Sequence, residues 1–167
     1  AEVKRGVDTY WMSEPLRFAT SHSHNLFAEG GDDRMRYGLG FSYNKTQGVM
    51  KGSDRDVING NVQLLYRYKT LSFKNYLNLD YTMSSREKVA FSKFSQSNPY
   101  HRKKNEFGVV EQVLEQYWDS DSDSPTYLKD LNTYNPLFDM NQGSFDETTS
   151  FGFRNNFEID WQVMDGL

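Results

Sequence analysis

From Arg34 to Tyr43 the chain reads Arg-Met-Arg-Tyr-Gly-Leu-Gly-Phe-Ser-Tyr. Successive side chains of an extended strand point to opposite sides. Met35, Tyr37, Leu39, Phe41 and Tyr43 therefore share one face, and Arg36, Gly38, Gly40 and Ser42 share the other. One strand of this kind also suits a soluble sheet with a single wet face. The constraint comes from repetition. From about Asp56 to Tyr68, Ile58, Gly60, Val62, Leu64, Tyr66 and Tyr68 oppose Asn59, Asn61, Gln63, Leu65 and Arg67. From Leu71 to Met83, Leu71, Phe73, Asn75, Leu77, Leu79, Tyr81 and Met83 oppose Ser72, Lys74, Tyr76, Asn78, Asp80 and Thr82. From Phe151 to Val163, Phe151, Phe153, Asn155, Phe157, Ile159, Trp161 and Val163 oppose Gly152, Arg154, Asn156, Glu158, Asp160 and Gln162. Only Gly60, Asn75 and Asn155 interrupt the four apolar faces, and only Leu65 and Tyr76 interrupt the polar ones. A shorter strand, His24 to Gly30 with Leu26 and Ala28 on one side, precedes them.

These runs are longer than the five or six residues of an average soluble strand. They match the roughly 9–11 residues that a tilted strand needs to cross a bilayer. Tyr43, Tyr66, Tyr68, Tyr81 and Trp161 lie near run ends, where membrane barrels carry aromatic girdles. Connection lengths add a second signal. Gly31-Asp32-Asp33 and Lys69-Thr70 are tight turns, Lys45 to Arg55 is a longer polar loop, and Ser84 to Ser150 is very long. Short and long connections alternate in outer-membrane barrels, short on the periplasmic side and long outside the cell. The expected fold is therefore all-β, an antiparallel transmembrane β-barrel segment. On this reading 1–23 is a lead-in, 24–83 holds four strands, 84–150 is an extracellular loop and 151–163 is the fifth strand. Lipid offers no partners to backbone groups, so a membrane sheet must close. Five strands cannot close around a wet bore, so the chain reads as part of a larger barrel.

Met35, Tyr37, Leu39, Phe41, Tyr43, Val62, Leu64, Tyr66, Phe73, Leu77, Leu79, Tyr81, Phe151, Phe153, Phe157, Ile159 and Trp161 are expected to face lipid. Arg36, Asn61, Gln63, Arg67, Lys74, Asn78, Asp80, Arg154, Asn156, Glu158 and Asp160 are expected to face the lumen. Asn75 and Asn155 are the weak points, because each would meet lipid away from a strand end unless a neighbour covers it.

Composition narrows the function classes. Aromatics reach 16% while mean hydropathy is -0.80. That combination suits strands with one apolar and one wet face, and no apolar run is long enough for a helical span. The net charge of -4 leaves no electrostatic footprint for nucleic acid. The absence of Cys removes disulfides, thiolate metal sites and thiol catalysis from this chain. The first residues lack the apolar core of a signal peptide. No nucleophile, base and orienting group recur at a readable spacing, so no enzyme and no cofactor are expected.

Within the long loop, Tyr117, Trp118, Tyr127 and Tyr134 are candidate substrate contacts, because a ring face covers apolar C–H surface. Packing of the loop onto itself is the plainer alternative. Val109 to Trp118 suits either a short helix or an extended piece. Asp119, Asp121 and Asp123 outline a calcium loop, but Ser124 and Pro125 stand where such a loop turns on Gly, so a solvated acidic loop fits better. His22, His24 and His101 are too scattered for a metal or catalytic set. Arg102 to Lys104 suit either phosphates at an outer surface or plain solvation.

Several stretches in order resemble one family. They are Tyr10-Trp11 and Pro15 before His24-Asn25-Leu26, then Glu29-Gly30-Gly31-Asp32 before Arg36-Tyr37. Tyr43-Asn44 precedes Gly48-Val49-Met50-Lys51-Gly52-Ser53, and Phe94-Ser95 precedes Asn98-Pro99-Tyr100. Asn135-Pro136-Leu137 and Phe153-Arg154-Asn155-Asn156-Phe157 complete the series. Together they resemble the SusC/RagA-like TonB-dependent transporters of Bacteroidetes outer membranes, over nearly the whole chain. The resemblance implies a plugged barrel of about 22 strands, a size known for such transporters. It also implies import of glycans or peptides energised through TonB, and a SusD-like surface lipoprotein as partner. The plug, the TonB box and the remaining strands are not in this sequence. A soluble β-sandwich or carbohydrate-binding module and a passive porin or adhesin barrel are the rival readings.

Overall fold

The structure is a computed structural model that describes residues 3–116 and 132–164. Four long strands follow one another: β1 (Thr20–Gly31), β2 (Met35–Gln47), β3 (Asp54–Tyr68) and β4 (Leu71–Ser85). After a long excursion the chain returns as β7 (Glu147–Trp161). The five form one antiparallel sheet in the order β1-β2-β3-β4-β7. Among the described residues the sheet is open, with β1 and β7 as its edges.

The strands outrun their apolar patterns. β1 starts at Thr20 rather than His24, so the lead-in is shorter than the 1–23 expected. The Lys45 to Arg55 loop contracts, because Lys45, Thr46 and Gln47 pair with Asp56, Arg55 and Asp54. Ser84 and Ser85 pair with Thr148 and Glu147, which trims the long loop at both ends, and β7 ends at Trp161 rather than Val163. The reason is physical. Backbone ladder bonds do not depend on side-chain polarity, so polar residues prolong strands without any alternation to announce them. Their side chains bond across the ladder too, as Thr20 Oγ1 does to Gln47 Oε1 (2.9 Å).

Two tight connections close one end of the sheet. Gly31 has φ 138°, a conformation open to glycine, and leads into Asp32. The Asp32 carboxylate accepts from the amides of Arg34 and Met35, both at 2.8 Å. Lys69-Thr70 joins β3 to β4 with Lys69 at φ 53°, the left-handed geometry that two-residue hairpins demand. The other connections, Gly48 to Ser53 and Arg86 to Asp146, leave from the opposite strand ends.

The second compact unit gathers residues up to Phe18, Val49–Gly52 and Glu87–Asp146. It contains α1 (Phe91–Ser95), the short strands β5 (Val113–Glu115) and β6 (Thr133–Tyr134), and α2 (Pro136–Asn141). Of the two readings for Val109 to Trp118, the extended one holds at Val113–Glu115, which pairs with β6, while Tyr117 and Trp118 lie outside the described residues. Trp11, Val89, Phe94 and Leu137 are its buried apolar core, with Val110, Leu114 and Met140 against them. The motifs that carried the family resemblance build this core. Trp11 Nε1 donates to Asn98 O (2.9 Å), and Pro99 O accepts from Thr9 N (2.8 Å). Asn135, 1% exposed, caps α2 by accepting from Leu137 N, and Pro136 occupies the first turn where a missing N–H costs nothing.

The amides of Met35 first, then Arg34, hold the Asp32 carboxyl below the usual carboxylate range. Its contribution is therefore complete above the ordinary Asp value of about 3.9 and is lost as the pH falls through the lowered value. Hydrogen exchange should show the Arg34 and Met35 amides losing protection in that acid range. Asp32→Ala should expose the same two amides at neutral pH and leave the middle of β1 and β2 protected.

Candidate functional site

The candidate site is the sheet itself, because its two faces differ in chemistry. Antiparallel register puts directly opposed residues on the same face. Tyr43 pairs with Ile58, Ile58 with Tyr81 and Tyr81 with Phe151. Leu39, Val62 and Leu77 form a parallel row further along, and Met35, Tyr66, Phe73 and Ile159 another. Tyr68, Leu71 and Trp161 end the series. Every residue expected to face lipid lies on this one face, in these rows or in two others. One holds Phe41, Leu79 and Phe153 with Gly60, the other Tyr37, Leu64 and Phe157 with Asn75. Aromatic and aliphatic side chains mix in the middle, Phe41, Phe153, Tyr37 and Phe157 among them, while Tyr43, Tyr81 and Phe151 bound one end and Tyr68 and Trp161 the other.

This face is exposed. Phe153 is 65% and Trp161 65% accessible, and Phe41 is 46%. Large aromatic side chains present about 150–250 Å² each, so the rows sum to an apolar surface on the order of a thousand Å². The largest such patch on an ordinary soluble monomer is about 300–600 Å². Beyond the Tyr43–Phe151 row the face turns polar at His22, Lys45 and Asp56. Tyr43 Oη donates to Asp56 Oδ1 (2.9 Å), and Lys45 Nζ lies 3.8 Å from the same carboxylate. Sequence reading missed this polar border because His22 lies before the expected start of the strand.

Asn75 and Asn155 answer one another. Asn75 opposes Phe157 and Asn155 opposes Leu77, so the two amides meet diagonally. Asn75 Nδ2 donates to Asn155 Oδ1 at 2.7 Å and reaches Asn156 O at 3.4 Å. Two polar interruptions in separate runs are one hydrogen-bonded pair.

The opposite face collects every residue expected to line a lumen. Arg36, Leu65, Lys74 and Glu158 form one row, and Gly38, Gln63, Tyr76 and Asn156 the next. Asn61, Asn78 and Arg154 follow, then Ser42, Asn59, Asp80 and Gly152. Arg67 and Asp160 flank Ser72 at the tight-turn end. Lys74 Nζ lies 2.6 Å from Asp160 and 3.6 Å from Glu158, so one ammonium bridges two carboxylates of the neighbouring strand. Asn59 Nδ2 donates to Ser42 Oγ (3.0 Å). The glycines of β2 let side chains lie flat on the sheet. A Cβ on Gly38 would stand 3.5 Å from the Phe27 ring, and one on Gly40 would collide with the Asn61 amide. Phe27, Glu29, Arg36, Gln63 and Tyr76 surround a shallow concavity of about 200 Å³ there. This face can hydrogen-bond and carry charge of both signs, but it assembles no nucleophile with a base.

Of the candidate substrate aromatics, Tyr134 lies on β6 and is exposed. Tyr117, Trp118 and Tyr127 lie outside the described residues, as do Asp119, Asp121 and Asp123. Among the described residues no group of three or more His, Asp or Glu could hold a metal ion. No helix among them is long and apolar enough to cross a membrane, which says nothing of crossing by strands. No protein-family model matches the chain, and a comparison with curated proteins finds no match.

The amide pair has a testable energetic signature. Asn75→Leu or Asn155→Leu alone removes this exposed hydrogen bond and should cost about 0.5–1.5 kcal/mol. The double substitution removes both polar groups and should be nearly neutral or stabilising. Urea unfolding of the protein and of each variant measures all three.

Proposed function

We propose that this sheet is a stretch of the wall of an outer-membrane β-barrel. We further propose that the barrel is a TonB-energised importer of glycans or peptides of the SusC/RagA type. The observation that carries the reading is the height of the aromatic-bounded apolar band. From Ile58 to Tyr68 on β3, and in register from Tyr81 to Leu71 and Phe151 to Trp161, the band spans ten residue steps. At about 3.4 Å per step that is about 34 Å along the strand. A tilt of about 40° reduces it to about 26 Å, against an apolar band of about 25 Å in membrane barrels. The alternation of tight and long connections supports the same reading. So does the continuation of the strands past the band on the long-loop side only, as expected where barrel strands project from the outer leaflet. On this reading the polar face lines a hydrated path, and further strands of the same protein pair with the edges of β1 and β7, because backbone groups cannot stay unpaired in lipid.

The narrower assignment, with its plug, its TonB coupling, its SusD-like lid and its Bacteroidetes-like outer membrane, rests on the ordered motifs. They support it because they meet in one folded unit: Trp11 and Leu137 belong to its buried core, Asn135 and Pro136 are buried with them, and the Asn98 carbonyl accepts from Trp11 Nε1.

Single cysteines test the wall, since this stretch has none of its own. In membranes, Leu39→Cys, Leu77→Cys and Phe153→Cys should react with a lipid-soluble maleimide and resist a membrane-impermeant one. Asn61→Cys and Asn156→Cys should show the reverse. Protection of Leu39→Cys, Leu77→Cys and Phe153→Cys from both reagents would support a soluble sandwich instead, whose apolar faces pair into a core. Leu77→Arg should cost about 2–4 kcal/mol in a bilayer, as cations do at the midplane of a barrel's lipid face. Asn61→Arg should cost little. Collapse of the proton motive force should stop nutrient uptake by the full-length protein, whereas a passive pore would keep conducting.

A further inference from the structure

Phe27 is an aromatic ring on the polar face of the sheet, 63% exposed, among Asn25, Glu29, Gly38 and Gly40. It opposes Gly40 on β2, and the end of its ring leans over Gly38, 3.5 Å from where a Cβ there would stand. Gly38 is buried under it, on a face otherwise open to solvent. Glu29, Gly38, Gln63 and Tyr76 form one row across four strands, and Arg36 stands in the next. With Phe27 these side chains surround the concavity of about 200 Å³.

The polar groups around this ring supply the second observation. Elsewhere on the face such groups answer one another, as Ser23 does Asn44, Asn59 does Ser42 and Lys74 does Asp160. Among the described residues the side chains of Glu29, Arg36, Gln63 and Tyr76 make no hydrogen bond or ion pair. An acceptor, a donor, an amide and a phenol thus converge on one ring with their bonding capacity unspent. Three arguments name what fits. A peptide strand binds by adding to a sheet edge, whereas the backbone here is already paired on both sides of β2 and β3. Glu29 and Arg36 carry opposite charges, so an ionic ligand gains little net attraction. A neutral sugar ring suits the rest, because its C–H surface stacks on the electron-rich face of Phe27. Its hydroxyls donate to Glu29, accept from Arg36 and do either with Gln63 and Tyr76. The concavity has room for roughly seven waters at about 30 Å³ each, enough for one such ring.

We propose that this concavity is a binding subsite for one neutral sugar ring of a glycan, with Phe27 as the stacking surface and Glu29, Arg36 and Gln63 as the hydrogen-bonding groups. The proposal rests on the reading of this face as an inner wall, which leaves the concavity open to a passing solute.

Calorimetric titration of the full-length protein, in a detergent without a sugar headgroup, tests it. The probes are trisaccharides of glucose, galactose, mannose and xylose, with trialanine as the peptide, each titrated separately. At least one trisaccharide should bind. Phe27→Ala should weaken that binding about tenfold and Gln63→Ala several-fold. Phe27→Tyr keeps the ring and should retain binding, and Asn59→Ala, outside the concavity, should leave it unchanged. Absence of binding by all four sugars, binding of trialanine alone, or sugar binding indifferent to Phe27→Ala and Gln63→Ala overturns the proposal. Circular dichroism of each variant separates a lost site from a lost fold. The labelling of Asn61→Cys and Asn156→Cys reports on the wall separately. If the impermeant reagent reaches both while no sugar binds, the subsite falls and the wall stands. If sugar binds with the expected pattern while that labelling fails, the wall falls and the subsite stands.

Discussion

Backbone pairing in one continuous register is the constraint on which the sheet depends. Side chains alternate with a period of two, so a slip of a single residue between any two strands would send a whole apolar row to the polar face. The ladders from Met35 to Gln47, Asp54 to Tyr68 and Leu71 to Ser85 run without a shift. Tyr43, Ile58, Tyr81 and Phe151 therefore stand abreast, and so do Arg36, Leu65, Lys74 and Glu158. The tight turns help to pin that register, one through the Asp32 carboxylate and one through the left-handed backbone of Lys69.

Once the faces are fixed, their energetics diverge. On the polar side Lys74 finds cross-strand company in Asp160 and Glu158. These groups remain partly solvated, so the pairs organise the face more than they stabilise it. On the apolar side, Val62, Phe73 and Leu77 are half-buried by their neighbours, but many rings such as Phe153 and Trp161 stay exposed, and that exposed part supplies no hydrophobic stabilisation until something apolar covers it. The sheet has no buried apolar core, and its only strand residue classed as buried is Gly38. A sheet of this kind is stable only in company, whether lipid or protein.

The second compact unit follows the opposite logic. Trp11, Val89, Phe94 and Leu137 come from segments far apart in the chain and bury one another. Asn135 and Asn98 hold the intervening backbone through hydrogen bonds rather than through regular structure. Its helices are too short to show a helical period in sequence. Ser84 to Ser150 therefore reads as one long irregular loop, although much of it folds around a small core of its own.

The amino-acid sequence by itself determined which side chains share a face of each long strand, and where the tight turns fall. Both are local properties, set by a period of two and by residues such as Gly31, Asp32 and Thr70. Tertiary structure decided the rest. It extended the strands through polar residues such as Thr20 to Ser23, because ladder bonds ignore side-chain polarity. It set Tyr43, Tyr81 and Phe151 in one row and Tyr68 and Trp161 in another, because alignment is a property of pairs of strands. It made Asn75 and Asn155 partners, and it brought His101 against Glu115. No spacing along the chain encodes contacts between groups eighty residues apart, since only the folded ladder brings them within hydrogen-bond reach.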